Sequence, residues 1–202
     1  ITIQETHRVF LQQDELNRIE EKNLLNERMA RVRDIFLFSC YTWLSYSDIE
    51  KLTPADISIG IDGEKWIFTT RIKTDTASRI PLLPAALAII EKYSGNPKSA
   101  NKGRLLPVSS NQRMNSYLKE LASICTINKE LTFHCARHTF ATTVTLTNGV
   151  PIETVSKMLG HKNLRTTQHY AKILDKKVSE DMRTLREKFA GNQSSNKLGT
   201  GM

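Results

Sequence analysis

The chain has 202 residues, of which 39% are hydrophobic, enough for one domain with a real core and short for two. Its 29 Lys and Arg outnumber 21 Asp and Glu, giving a net charge of +8 and a pI near 9.5, a balance that favours a polyanionic partner. The longest apolar stretches, such as PLLPAALAII at 81–90, are short and broken by proline, and Ile1 opens no secretory signal; these features exclude a membrane span and predict a cytoplasmic protein.

In chain order, LQQDELNRIEEKNLL carries Leu16, Ile19, Leu24 and Leu25 among charges and predicts an amphipathic helix. RVRDIFLFSCYTWL at 31–44 is apolar enough for a buried one. Ser47 followed by Asp48, Ile49 and Glu50 has the Ser-x-x-Glu spacing of a capping box, which starts a short helix at SDIEKL. Alternation in ISIGI and KWIFT around Asp62-Gly63 predicts a hairpin, and SRIPLL a third strand. Helices follow at 84–94, at 112–124 after Asn111, and at 133–148 after Thr132. Two more are predicted at 151–159, with Pro151 in the first turn and Gly160 past the last, and at 163–172. DKKVSEDMRTLREKF puts Val178, Met182, Leu185 and Phe189 on one stripe of a final helix, and GNQSSNKLGTGM reads as a disordered tail over 191–202. The predicted fold is mainly α with a small three-stranded antiparallel β-sheet, one domain over 1–190.

Charge is unevenly distributed. Acids crowd Asp14, Glu15, Glu20, Glu21 and Glu27, whereas 98–119 carries Lys98, Lys102, Arg104, Arg113 and Lys119, the pattern of a basic face. The cysteines Cys40, Cys125 and Cys135 are odd in number and form no CxxC pair, which fits reduced thiols. The chain opens without methionine, so an upstream domain is expected.

FHCARHTF at 133–140 gathers His134, Arg137 and His138 within a turn or so of helix. One reading is structural, with the histidines merely satisfied in place. A second is a metal site, since His134 and His138 at i and i+4 can share an ion; no HExxH glutamate lies between them, and a third ligand would have to be Cys135 or His161. The third is phosphodiester chemistry, because His134 and Arg137 at i and i+3 set an imidazole beside a guanidinium where a phosphate meets both.

Downstream, MLGHKNLRTTQHYA places His161 directly after Leu-Gly and Tyr170 at the end of the next short helix. HCARHTFAT followed by LGHKNLRTTQHYA resembles the tyrosine recombinase (phage-type integrase) pattern His-x-x-Arg-His-x-x-Ala, Leu-Gly-His, Thr-x-x-x-Tyr. The resemblance runs from about residue 11 to 190, the catalytic domain, and implies that fold. TRIKTDTASRIPLL resembles the segment whose lysine, here Lys73, reaches the site. FLFSCYTWLSYSDIEKLTPADI resembles the segment bearing the family's first arginine, with a flavour close to integrases of Bacteroides conjugative transposons.

The resemblance implies an enzyme that cuts and rejoins DNA through a 3′-phosphotyrosyl link on Tyr170, integrating or excising a mobile element with no metal or nucleotide cofactor. Arg137 would hold the non-bridging oxygens, His134 assist proton movement, His161 donate to the same oxygens, and Lys73 protonate the leaving 5′ oxygen. His138 is expected to orient the helix or pack. Double-stranded DNA and further protomers are the implied partners, a monomer when free assembling into a tetramer in the synapse, with a host DNA-bending protein as a further candidate. The implied location is the nucleoid of a bacterial cytoplasm.

One position departs from the pattern. Thr-Gly-Leu-Arg is here Thr42-Trp43-Leu44-Ser45, a serine without positive charge where the first arginine is expected. Arg71, two residues before Lys73 and expected on the same strand face, is the first candidate replacement, and Arg79 the second. Trp43 is expected to fill a core gap. A type IB topoisomerase-like enzyme and an inactive DNA-binding relic remain as alternatives.

Overall fold

The computed structural model describes residues 9–73, 75–161, 163–168, 170, 179, 182, 183 and 185–187. Helix α1 (Gln13–Glu21) buries Leu16 and Ile19 as its periodicity predicts, but Leu25, past its end, is 95% exposed. Asn26 caps α2 (Glu27–Thr42), its side chain accepting from the Arg28 and Met29 amides. Because α2 is apolar on nearly every side, it is the pillar of the main core, with Val32, Ile35, Phe36 and Phe38 at 1% exposure or less. Its one buried acid, Asp34, accepts from Arg33 Nε at 2.9 Å, Lys92 Nζ at 2.6 Å and the Tyr93 hydroxyl at 2.8 Å, so the carboxylate is neutralised where it lies.

Helix α3 is Tyr46–Lys51, and its cap corrects the expected start. Ser45, not Ser47, is the N-cap, accepting from the Asp48 amide at 3.3 Å and donating to Asp48 Oδ2 at 2.7 Å. The sheet is antiparallel in the order β1 (Ile57–Ile59), β2 (Lys65–Thr70), β3 (Ala77–Pro81), with Ile67 opposite Ile80 and both facing the core. Asp62-Gly63 forms the first turn as predicted, Gly63 at φ 81°. Gly60 is required beside it, since a Cβ there would lie 2.4 Å from the Trp66 ring.

Helices α4 (Pro84–Lys92) and α6 (Asn111–Ile124) complete the main core, and the short α5 (Pro97–Ala100), which the sequence does not predict, lies between them in the chain. Lys98, Lys102, Arg113 and Lys119 are exposed, but Arg104 leaves the basic face to donate to the Lys51 carbonyl at 2.7 Å.

The helix predicted over 133–148 is two segments. α7 (Phe133–Thr139), capped by Thr132, passes into a π-helical stretch at Phe140–Leu146. Buried threonines accompany the wider turn: Thr145 Oγ1 reaches the carbonyls of Phe140 and Ala141 at 3.0 and 2.8 Å. Two others hold the entering chain, Thr139 Oγ1 accepting from the Leu11 amide at 2.9 Å and the Thr143 hydroxyl donating to the Leu11 carbonyl.

α8 (Ile152–Met158) has Pro151 as its N-cap rather than in its first turn, and Gly160 ends it at φ 65°. α9 is Arg165–Gln168; of the predicted 163–172, residues 169, 171 and 172 lie outside the described residues. Trp43, Phe140, Leu146, Val155, Leu159 and Tyr170 form a second, smaller core under these helices. Met182 and Leu185 of the predicted C-terminal stripe are exposed; Val178, Phe189 and the tail at 191–202 lie outside the described residues. No helix among the described residues is long and apolar enough to cross a membrane. The architecture is the mainly α fold with one three-stranded antiparallel sheet that the sequence predicts.

Candidate active site

Three elements meet where the two cores adjoin: the end of α2, the turn between β2 and β3, and α7 with the loop after α8. At their centre stands Trp43, the residue that ends α2. Its amide donates to the Ser39 carbonyl at 3.0 Å, and its backbone takes the left-handed conformation at φ 64°. The indole is 4% exposed and has two cations near it: the Arg137 guanidinium lies 4.2 Å from its centroid and that of Arg71 6.0 Å. His161 meets the same ring edge-on at 5.9 Å. Trp43 therefore does fill the core, as expected, but it also touches three of the candidate site residues.

Arg137 projects from α7. Burial pushes its ionisation down to about 10, the nearby Arg71 charge acting in the same direction against the pull of Asp48 and Tyr170. Its Nε is buried without a hydrogen-bond partner. On its other side Arg137 lines an open cavity of about 370 Å3 shared with Ser45, His134, Asn111 and Asn115. His134, on the first turn of α7, is exposed at that cavity. A cation, an imidazole, two amides and a hydroxyl facing one open space form a set of groups able to receive an anion.

Arg71 is 7% exposed, and its Nη1 donates to the Leu159 carbonyl at 2.7 Å, which ties the sheet to the loop carrying His161. Burial lowers its pKa and Asp48 opposes the shift. The expectation that Arg71 and Lys73 leave one strand face is corrected. β2 ends at Thr70, and Ile72 and Lys73 lie in a turn closed by Arg71 N to Thr76 O at 3.0 Å and Asp75 N to Arg71 O at 2.9 Å. Strand parity does not operate inside a turn, so Arg71 points inward while Lys73 is exposed at the tip. Arg79, the second candidate, is exposed on β3.

Ser45 lines the cavity at the position of the expected arginine, yet its hydroxyl is committed to Asp48, with Ser47 Oγ at 3.1 Å. Asp48 is the residue the sequence reading passed over. Its Oδ1 accepts from the Ile72 amide at 3.0 Å, so one buried carboxylate joins the Ser45 cap to the turn bearing Arg71 and Lys73. Its signal was the Ser-x-x-Asp spacing one cap earlier than the one chosen.

Tyr170 is 3% exposed, its ring within the second core. Its hydroxyl shares a hydrogen bond of 2.8 Å with His138 Nδ1, on the residue next to Arg137, so the oxygen lies at the polar edge of that core. His138 thus engages the tyrosine directly, beyond the packing role expected of it. His161 Nδ1 is paired with Thr167 Oγ1 at 2.9 Å. The rings of His134 and His138 stand 6.5 Å apart, and no group of three His, Cys, Asp or Glu side chains able to hold a metal occurs among the described residues. Cys135 is buried, its thiol pushed up to about 11 mainly by burial.

The chain is similar to known proteins. The tyrosine recombinase XerD of Halalkalibacterium halodurans is 30% identical over 146 residues, 65% of this chain and 46% of that protein. The chain thus spans about half the length of that relative. The XerA recombinase structure superposes with a TM-score of 0.67 at 24% identity, covering 86% of this chain and 65% of that one. XerH recombinase, in a post-cleavage complex with a palindromic difH substrate, gives 0.67 at 18% identity over 90% of this chain and 54% of that one. The phage integrase family model matches residues 9–177, and on that match the chain belongs to the phage integrase family.

Proposed function

We propose that the chain is the catalytic domain of a site-specific DNA recombinase that works through a 3′-phosphotyrosyl intermediate on Tyr170. The observation that carries this reading is the place of Arg137: it lines the cavity with His134, shares the Trp43 ring with the buried Arg71, and is followed in sequence by His138, the partner of the Tyr170 hydroxyl. A phenol is a weak nucleophile until cations favour its phenolate. Attack on phosphorus forms the tyrosyl ester and expels the 5′ oxygen, which takes a proton from Lys73 at the exposed hairpin tip. Arg137 neutralises charge on the non-bridging oxygens, with Arg71 supplying the second cation that Ser45 lacks. His134 moves protons, and His161 donates to the same oxygens. Because the ester conserves the broken bond's energy, attack by a 5′ hydroxyl of a partner strand reseals DNA with no metal or nucleotide.

Tyr170 must leave its contact with His138 to meet a phosphate. The net charge of +8 and exposed Lys98, Lys102, Arg113 and Lys119 suit a duplex partner. XerH is bound to its substrate in a post-cleavage complex. A monomer that assembles into a tetramer on DNA, with or without a host bending protein, completes the scheme, and the FLFSCYTWLS segment favours an element of the Bacteroides conjugative type.

The experiment is covalent capture. Nicked duplexes of random sequence are incubated with the chain, and DNA that resists detergent stripping is sequenced. Adducts that vanish in Tyr170→Phe support the proposal; salt-sensitive binding without adducts indicates a DNA-binding relic. Supercoil relaxation by the chain without sequence preference would favour a topoisomerase.

A further inference from the structure

We propose that Trp43 is a positioning residue whose indole holds Arg71 and Arg137 beside one another, and that this support is what allows Arg71 to serve in place of an arginine at residue 45. The inference rests on the reading of Tyr170-dependent strand cleavage given above. Two guanidinium groups lie 4.2 and 6.0 Å from one buried ring. Side by side they repel each other, and burial removes the water that would screen them. The negative faces of an indole offset part of that repulsion, more strongly where water is excluded. His161 adds an edge contact to the same ring at 5.9 Å, so displacing the ring disturbs all three.

The backbone gives independent support. Trp43 sits at φ 64°, a conformation glycine adopts without strain and a bulky side chain rarely does. A tryptophan kept there is over-determined by its side-chain contacts. Those contacts are cations on the ring together with Phe140 at 6.4 Å. Its Nε1 is buried without a hydrogen-bond partner, so no polar tether explains its place. Two residues further on, Ser45 spends its hydroxyl on Asp48 and offers the cavity no charge. The Arg71 guanidinium reaches inward from the hairpin turn, is fixed to the Leu159 carbonyl and lies 6.0 Å from the Trp43 ring, whereas Lys73 of the same turn is exposed.

The test has two parts on the full chain. In the first, Trp43→Leu is made in the wild type and in the Arg71→Met/Arg137→Met background, with Arg71→Met alone as a second background should the double variant not fold. Urea unfolding then compares the two. If the ring supports the cations, the leucine should raise the unfolding constant about tenfold more when the arginines are present. Equal effects in both backgrounds overturn the proposal.

The second part uses a nicked duplex recovered by covalent capture with wild-type protein. Trp43→Phe, which keeps a ring, should form adduct within about tenfold of the wild-type rate, and Trp43→Leu should be slower by about a hundredfold. On the same duplex with a neutral methylphosphonate at the scissile position, which needs no cation clamp, the leucine deficit should largely close. A leucine variant as fast as wild type on phosphate, or equally slow on both linkages, overturns the positioning role. If wild-type protein yields no Tyr170-dependent adduct, the cleavage reading fails, and the urea comparison still decides whether Trp43 holds the arginines.

Discussion

The Tyr170 hydroxyl and His138 Nδ1 lie 2.8 Å apart, so the candidate nucleophile is held by the residue next in sequence to the arginine it would work with. Tyr170→Phe keeps the ring in the second core and removes this bond. It is expected to cost about 0.5–1.5 kcal/mol in urea unfolding, whereas Tyr170→Ala, which empties the ring's place beside Trp43 and Leu159, should cost about 3–5 kcal/mol. The phenylalanine variant is therefore the folded control for adduct formation. An unfolded Tyr170→Phe protein would contradict the arrangement.

Arg71→Ala is expected to abolish adduct formation on a captured duplex, because it removes the buried second cation and releases the Leu159 carbonyl. Ser45→Ala should leave adduct formation nearly unchanged while costing about 1 kcal/mol of stability through the lost α3 cap. Normal cleavage by Arg71→Ala would end the substitution idea.

Lys73 at the hairpin tip is expected to act only on the leaving oxygen. Lys73→Ala should slow cleavage of ordinary DNA by about 100- to 10,000-fold. It should approach wild-type rates when the 5′ bridging oxygen is sulfur, since a thiolate leaves without a proton. A deficit that persists with sulfur would assign Lys73 to DNA contact instead.

Alkaline pH should weaken the fold. Burial, reinforced by the Glu20 carboxylate, raises the Tyr41 pKa; burial, with Asp34, raises that of Tyr93; burial, with Glu50, pushes Tyr46 up to about 12. In the unfolded chain each phenol ionises near 10, so the folded state keeps protons that the unfolded state has lost. Their contribution is fully present below pH 10 and is lost as pH rises through the higher folded values. Arg137, whose pKa is lowered, pulls in the opposite direction above about pH 10. With three tyrosines against it, the urea midpoint should fall as pH rises from about 10 to 12. Tyr41→Phe and Tyr93→Phe should each flatten that fall, and an unchanged slope would refute the assignment.

Much of the fold was legible because its signals are local. Alternation in KWIFT, the Asp62-Gly63 turn and the apolar α2 segment each act over a few residues, and each element lies where the pattern put it. Ends were less readable. Ser45 and Ser47 both offer a hydroxyl ahead of an acid, and only packing of Trp43 and Leu44 into the cores selects the earlier cap. The break at Thr139 is invisible to periodicity, because it goes with threonine hydroxyls reaching backbone carbonyls. At the candidate site, the motif spacing points to His134, Arg137, His161 and Tyr170, but not to what joins them. The partnerships of Trp43 with two arginines, of Asp48 with the Ile72 amide, and of His138 with Tyr170 are long-range, and no single stretch of sequence carries them.

Leu11 is gripped through both of its backbone polar groups by Thr139 and Thr143, on the helix that bears Arg137 and His138 or directly after it. No substitution but proline removes a main-chain hydrogen-bonding group, so this fastening survives any other side chain at residue 11 and yields only to a proline or to loss of a threonine. Tension applied to the polypeptide ahead of residue 11 would be delivered to the rod carrying the guanidinium and the imidazole, much as a rein acts on a bit.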